Sequence, residues 1–127
     1  MDKIVATLDK NKVYSSYYAR ACKIFPSWRM VAISISIPEG FDGIILRELN
    51  PTQQLLYDYK NGLCDEREYE ERYYSNVLSR LDAKSIYEKV KGKVLLCYCG
   101  KDKFCHRKLI LKWLADNLGE NVVGGEI

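Results

Sequence analysis

The chain has 127 residues, 47% of them hydrophobic and 29% charged, and a formal net charge of +3. That length suits a single domain over residues 1–127 with one core, and the balance is globular, with no disordered tail. So small a positive charge does not by itself indicate nucleic-acid binding, and no apolar run approaches the roughly eighteen residues that a membrane span needs.

Lys3, Asp9 and Lys10 interrupt any signal-peptide core. Five cysteines, an odd number, fit reduced thiols in a cytoplasm better than a disulfide framework. Ten tyrosines suit a half-buried surface or a ligand cleft, because the ring packs while the hydroxyl stays polar.

Ile4 to Leu8 reads as a short first strand, followed by a turn at Asp9-Lys10-Asn11-Lys12. Val13 to Phe25 reads as a helix: Tyr17, Ala21 and Ile24 lie at helical spacing, Ser15 or Ser16 can cap it, and Pro26 ends it. Arg29 to Ile37 is the strongest strand pattern. Val31, Ile33, Ile35 and Ile37 alternate with Ala32, Ser34 and Ser36, so both faces are expected to be covered. Pro38-Glu39-Gly40 turns the chain, and Ile44 to Leu49 is either a short extended piece or an irregular link.

Asn50-Pro51 predicts a helix start, with Leu55, Leu56 and Tyr59 inward and an end near Gly62. Asp65 predicts the cap of a longer amphipathic helix whose inner line is Tyr69, Tyr73, Val77 and Leu81. Ser85 to Val90 is a third helical piece. Val94 to Cys99 is a nearly all-apolar strand of the kind found at the centre of a parallel sheet. Phe104 to Leu118 is the last helix, closed by Gly119, and Val122-Val123 adds a terminal strand. Strands alternating with helices predict an α/β fold: a single three-layer domain with a mainly parallel sheet flanked by helices.

The working site is expected between Val94 and Arg107, where a strand, a short polar loop and a helix start follow one another. Cys97, Cys99, Cys105, His106 and Arg107 all fall there. Ligands of open α/β sheets gather beyond the carboxyl ends of the strands, and a helix start offers N–H groups and a positive dipole end to an anion. Arg107 and Lys101 are the candidate anion contacts. Ser34 and Ser36, near the end of the other strong strand, are candidates to border the same crevice.

Cys97 and Cys105 are candidate nucleophiles, since a helix start and nearby cations favour the thiolate, and His106 is the candidate acid–base. The bland alternative has Cys97 as a small core residue, His106 as a packing residue and Arg107 bonding backbone carbonyls. The phosphatase cradle is excluded, because its arginine lies six positions after the cysteine. Here Lys103 stands at that distance from Cys97, and Cys105 from Cys99. A metal is not expected. Cys97 and Cys99 can share one, but neighbouring helical residues diverge by about 100°, which keeps Cys105 and His106 from both joining.

Leu95-Leu96-Cys97-Tyr98 followed by Phe104-Cys105-His106-Arg107 and Trp113-Leu114 resembles the uncharacterised family numbered four hundred eighty-eight among the domains of unknown function. Val31-Ala32-Ile33-Ser34 with Pro38, Leu49-Asn50-Pro51, Tyr59-Lys60, and Tyr69 through Val77-Leu78 resemble it too. The resemblance implies a small intracellular bacterial or phage α/β protein and brings no established reaction. Two positions depart from the family pattern: Ile35 replaces an arginine and Cys99 a glutamate, which suggests that the two are neighbours across adjacent strands.

The function expected from these residues is binding of a small anionic ligand, nucleotide-like or derived from nucleic acid, with hydrolase or transferase chemistry if the protein is an enzyme. The alternatives are a non-catalytic domain that binds nucleic acid or protein, and a zinc-stabilised scaffold. No cofactor and no membrane partner are expected. The substrate and the oligomeric state are not given by the sequence.

Overall fold

The computed structural model describes residues 8–100 and 103–127. Within it, residues 13 to 25 do not form one helix. Val13–Tyr17 is strand β1, and only Tyr18–Ile24 is helical, forming α1. The helical spacing of Tyr17, Ala21 and Ile24 belongs to the second half alone. Val13 and Ser15 face one side of the sheet and Tyr14 and Ser16 the other, and all four are buried, so no polar–apolar alternation announces the strand. Ser15 and Ser16 do not cap α1; its N-cap is Tyr17, whose side chain makes no capping bond. Instead Ser15 Oγ donates to the Glu126 carboxylate and Ser16 Oγ to the Ile127 carbonyl.

The long strand expected from Arg29 to Ile37 is also shorter. Met30–Ala32 forms β2 and Ile44–Ile45 forms β3. Pairing of β2 ends at Ala32 opposite Leu96, with one further bond from Ile33 N to the Leu96 carbonyl. Beyond it the chain bends, and hydroxyls take over from the ladder: Ser34 Oγ donates to the Ser36 carbonyl at 2.6 Å and lies 2.6 Å from Tyr18 Oη. The bend brings Ser34, Ile35 and Ser36 to a cleft instead of continuing the sheet.

Arg47–Leu49 makes a 3-10 turn before Gln53–Lys60, helix α2. This helix starts later than Asn50-Pro51 suggests. Asn50 is extended as it leaves the 3-10 turn, and the Thr52 hydroxyl accepts from Leu55 N at 3.1 Å, which makes Thr52 the cap. Glu66–Asn76 is α3, with a full capping box between Asp65 and Glu68. Ala83–Val90 is α4, capped by Asp82.

Val94–Cys97 is β4, His106–Leu118 is α5 and Val123–Glu126 is β5. Gly92 carries φ +76°, and a Cβ there would stand 2.9 Å from the Lys10 carbonyl, so only glycine lets β4 begin against the 9–12 turn. Of the first strand expected at Ile4 to Leu8, residues 4–7 lie outside the described residues.

The sheet is parallel throughout, in the order β3-β2-β4-β1-β5. Its central strand β4 is buried on both faces, as its unbroken apolar run requires. Leu95 packs with Val13, Val31 and the inner residues of α2, α3, α4 and α5, including Tyr73, Ile86 and Leu114. Leu96 packs on the other face with Tyr18, Ala21 and Phe25 of the α1 region. Helices therefore cover both faces, and the architecture is the three-layer α/β expected. No helix among the described residues is long and apolar enough to cross a membrane.

Candidate functional site

Strand β4 ends at Cys97, and the chain then passes through Cys99 to Cys105. The sulfurs of Cys97, Cys99 and Cys105 all lie within 4.8 Å of one another. The expectation that Cys105 and His106 do not both join Cys97 and Cys99 holds: Cys105 joins them and His106 does not, for a local reason. Cys105 is the N-cap of α5, with extended φ −158° and ψ 147°, so the 100° rotation between helical neighbours does not apply to it. Its side chain turns back toward the strand end while His106 opens the helix. Cys97 and Cys105 are buried, Cys99 is exposed, and none forms a disulfide.

Arg107 is fully buried, and all of its donors are used inside the protein. Nε and Nη2 hold the Glu126 carboxylate at 3.1 and 2.6 Å. Nη1 reaches the Cys99 carbonyl at 2.6 Å and Cys97 Sγ at 2.9 Å, and Nη2 also reaches the Gly100 carbonyl at 3.1 Å. No donor remains for an external anion in this arrangement. The guanidinium instead fastens the loop after β4 to the end of β5 and presents one N–H to a sulfur. The positive end of α5, whose N-cap makes no side-chain bond, faces the same sulfurs. The two features expected to attract a ligand anion thus face the protein's own sulfurs, where they favour the ionised form.

The three thiols titrate as one unit. Hydrogen bonds from Cys105 and then from Cys97 hold Cys99 well below the usual thiol range, and Arg107 and His106 add to this against the cost of burial. The reciprocal bonds, with burial, push Cys105 far up. Cys97 is also raised, although its bond with Cys105 and the nearby Arg107 charge act to lower it. The Arg107 N–H points at Cys97 Sγ rather than at Cys99, so the negative charge is best described as shared among the sulfurs.

His106 is buried and neutral; burial pulls its pKa down to about 4 against the opposing effect of its bond to Ile33. Its Nε2 lies 2.7 Å from the Ile33 carbonyl, which can only accept, so Nε2 carries the proton. Nδ1 then has a free lone pair, 3.6 Å from Cys105 Sγ. The imidazole accordingly offers an acceptor to the cluster and no acidic proton to a ligand at neutral pH.

These groups floor a cleft of about 140 Å³ beyond the carboxyl ends of β2 and β4. Ser34, Ile35 and Ser36 border it from β2, and Tyr59, Lys60, Tyr69, Tyr98 and Phe104 contribute its walls and mouth. Tyr59, Tyr69 and Phe104 pack on one another with ring centres 5.3 to 5.4 Å apart, which makes that wall stiff. Among the described residues the lining holds no carboxylate. A larger hollow of about 530 Å³ lies between α3 and α5, lined by Arg67, Glu70, Lys112 and Trp113, with no thiol or imidazole on its walls.

Of the residues expected at the site, Cys97, Cys105, His106, Ser34 and Ser36 line the cleft together, Arg107 stands behind it, and Lys101 lies outside the described residues. Sequence reasoning gave Cys99 no catalytic or ligand-binding role, only a possible share in a metal, and gave Lys60 and Glu126 no role at the site. Cys99 had a signal, the alternate spacing with Cys97. Glu126 had none, because only the fold brings the chain end to α5.

A family model described as DUF488-N3a, the active DUF488-N3 subclade, matches residues 28–118. The chain belongs to the DUF488 family. No curated protein and no solved structure matches it. The matched stretch carries β2, β4 and α5, and with them every described residue of the cleft lining. The two positions where this DUF488 chain departs from the pattern expected of the family, Ile35 and Cys99, line the same cleft. They do so from the bend after β2 and the loop after β4, not as partners across adjacent strands.

Proposed function

We propose that the cleft is the working site, and that it takes the end of a small anionic, nucleotide-like ligand on which the sulfur cluster acts, as a hydrolase or transferase. The observation that carries this reading is the convergence of three thiols and an imidazole acceptor on the floor of an open cleft at the carboxyl edge of a parallel sheet. At about 140 Å³ it is smaller than the roughly 300–1,000 Å³ of pockets that enclose drug-sized ligands, so one ring or one anionic group enters. Aromatic walls suit a flat ring, and Lys60 at the mouth suits its charged substituent. The catalytic residues are Cys97, Cys99 and Cys105. His106 accepts a proton or hydrogen bond at Nδ1, and Arg107 is a positioning residue for the sulfurs. Five unpaired thiols fit a reducing compartment such as the cytoplasm. The subclade's description as active agrees with a site that does chemistry.

The test is thermal stabilisation by a nucleoside monophosphate, the nucleoside alone and inorganic phosphate. A nucleoside monophosphate at about one hundred times its dissociation constant adds about 2.7 kcal/mol to the folded state. Lys60→Met is expected to weaken that binding and leave the nucleoside's unchanged. No stabilisation by any of the three, or full binding by a Tyr59→Ala, Lys60→Met double variant, would overturn the reading.

A further inference from the structure

We propose that Cys97, Cys99 and Cys105 together bind one thiophilic divalent ion, zinc by preference, as three thiolates with the fourth coordination position open to the cleft. The three sulfurs already lie within 4.8 Å of one another. A tetrahedral zinc with Zn–S bonds of about 2.3 Å requires sulfurs about 3.8 Å apart, which is inside that limit. Thiolate donors select zinc and other soft or borderline ions over magnesium and calcium, which take oxygen.

The surroundings suit such a charge. Three thiolates on a dication leave one net negative charge. Arg107 donates to Cys97 Sγ at 2.9 Å, and the uncapped start of α5 faces the sulfurs. Hydrogen bonds from fixed groups to metal-bound sulfur are the usual means by which a protein orients its ligands. Cys97 ends a central strand and Cys105 caps a helix of 13 residues, so two of the three donors sit on rigid elements. Cys99 is exposed at the cleft.

His106 adds an independent observation. Its Nε2–H is fixed on the Ile33 carbonyl, and its unprotonated Nδ1 is 3.6 Å from Cys105 Sγ. A metal-binding cysteine has to lose its proton, and this lone pair stands beside the Cys105 thiol as a nearby acceptor. Binding forms three metal–sulfur bonds and releases whatever protons the sulfurs still hold, with no change of oxidation state. Three protein ligands with one open position is the pattern of a catalytic zinc rather than a sealed structural one. That last step rests on the cleft being the ligand site; the ion itself does not.

The experiment uses the full chain, reduced and stripped with a chelator, and titrates it with cobalt(II) as the spectroscopic stand-in for zinc. One ion per chain is expected, with sulfur-to-cobalt charge transfer in the near ultraviolet, ligand-field bands in the red, and displacement by zinc. Cys99→Ser removes an exposed ligand and is expected to cost about a third of the charge-transfer intensity and more than about 100-fold in affinity, beyond the 10–100-fold typical of losing an outer partner. Cys22→Ser and Cys64→Ser are expected to bind as the wild type. Absence of the charge-transfer band, or an unchanged band in Cys99→Ser, overturns the proposal, whatever becomes of the buried variants. If cobalt fails to bind while the nucleotide still stabilises the metal-free chain, the ion falls and the cleft reading stands. If cobalt binds and no nucleotide does, the ion stands and that reading falls.

Discussion

Replacing Arg107 by methionine should unfasten the candidate site and cost the protein a large part of its stability. The substitution keeps the volume of the stem but removes every donor that now holds Glu126, Cys97 and the carbonyls of Cys99 and Gly100. Breaking a buried ion pair from one side costs about 3–5 kcal/mol. The Glu126 side chain is 25% exposed and regains some hydration, so the lower end applies, about 3 kcal/mol. For a chain of this length that corresponds to a fall in melting temperature of about 10–15 °C. The carboxylate left behind accounts for much of the loss. Adding Glu126→Gln should therefore restore about 1–2 kcal/mol, because the amide needs no counter-charge and can still accept from Ser15. Urea unfolding of the two single variants and the double variant gives the coupling energy. A loss below about 1 kcal/mol for Arg107→Met, or strict additivity in the cycle, would refute the view that the guanidinium is a strut committed to the protein's own groups.

Three further outcomes follow from the same structure. In the Glu126 carboxyl, burial raises the pKa, but the bonds from Arg107 and Ser15 outweigh it, so the folded value lies below the usual glutamate range. Its contribution is then present above the unfolded pKa and disappears as pH falls through the folded one. The difference in stability between wild type and Glu126→Gln should shrink on acidification below about pH 4.5. A difference that grows with acid would reverse the sign of the argument. Leu95→Ala empties a fully buried position between the central strand and four helices, and should cost about 2–5 kcal/mol in chemical denaturation. Asp65→Ala breaks the capping box of α3 and should cost about 1 kcal/mol, with helix content by circular dichroism little changed.

The elements with a single dominant cue were legible in the sequence. β4 shows an unbroken apolar run, α3 a cap followed by an amphipathic pattern, and α5 a wet face at Lys108, Lys112 and Asp116. The misread elements carry cues that tertiary contacts overrule. β1 has serines where a half-exposed strand would have charges, because both of its faces are buried and its hydroxyls bond the chain's last residues. The alternation of Ile33, Ile35 and Ile37 looks like strand, yet β2 loses its partner once β4 turns away at Cys97.

At the site, the gathering of thiols, imidazole and guanidinium into one region was readable from their spacing. The bonds from Arg107 to backbone carbonyls, the bland alternative, are present at Cys99 and Gly100, but its ion pair was not readable, since Glu126 arrives from the far end of the chain. Nor was the convergence of Cys105 on Cys97 and Cys99, which depends on the extended backbone of a single capping residue.

The claim on which this account depends is that the three sulfurs share one floor of the cleft. A reagent that becomes fluorescent only on bridging two neighbouring thiols measures it directly, on the reduced and metal-free chain, with peptide mapping of the product. The prediction is a bridge joining Cys99 to Cys97 or Cys105, with Cys22 and Cys64 modified singly or not at all. A Cys99 that reacts alone and forms no bridge would contradict the account.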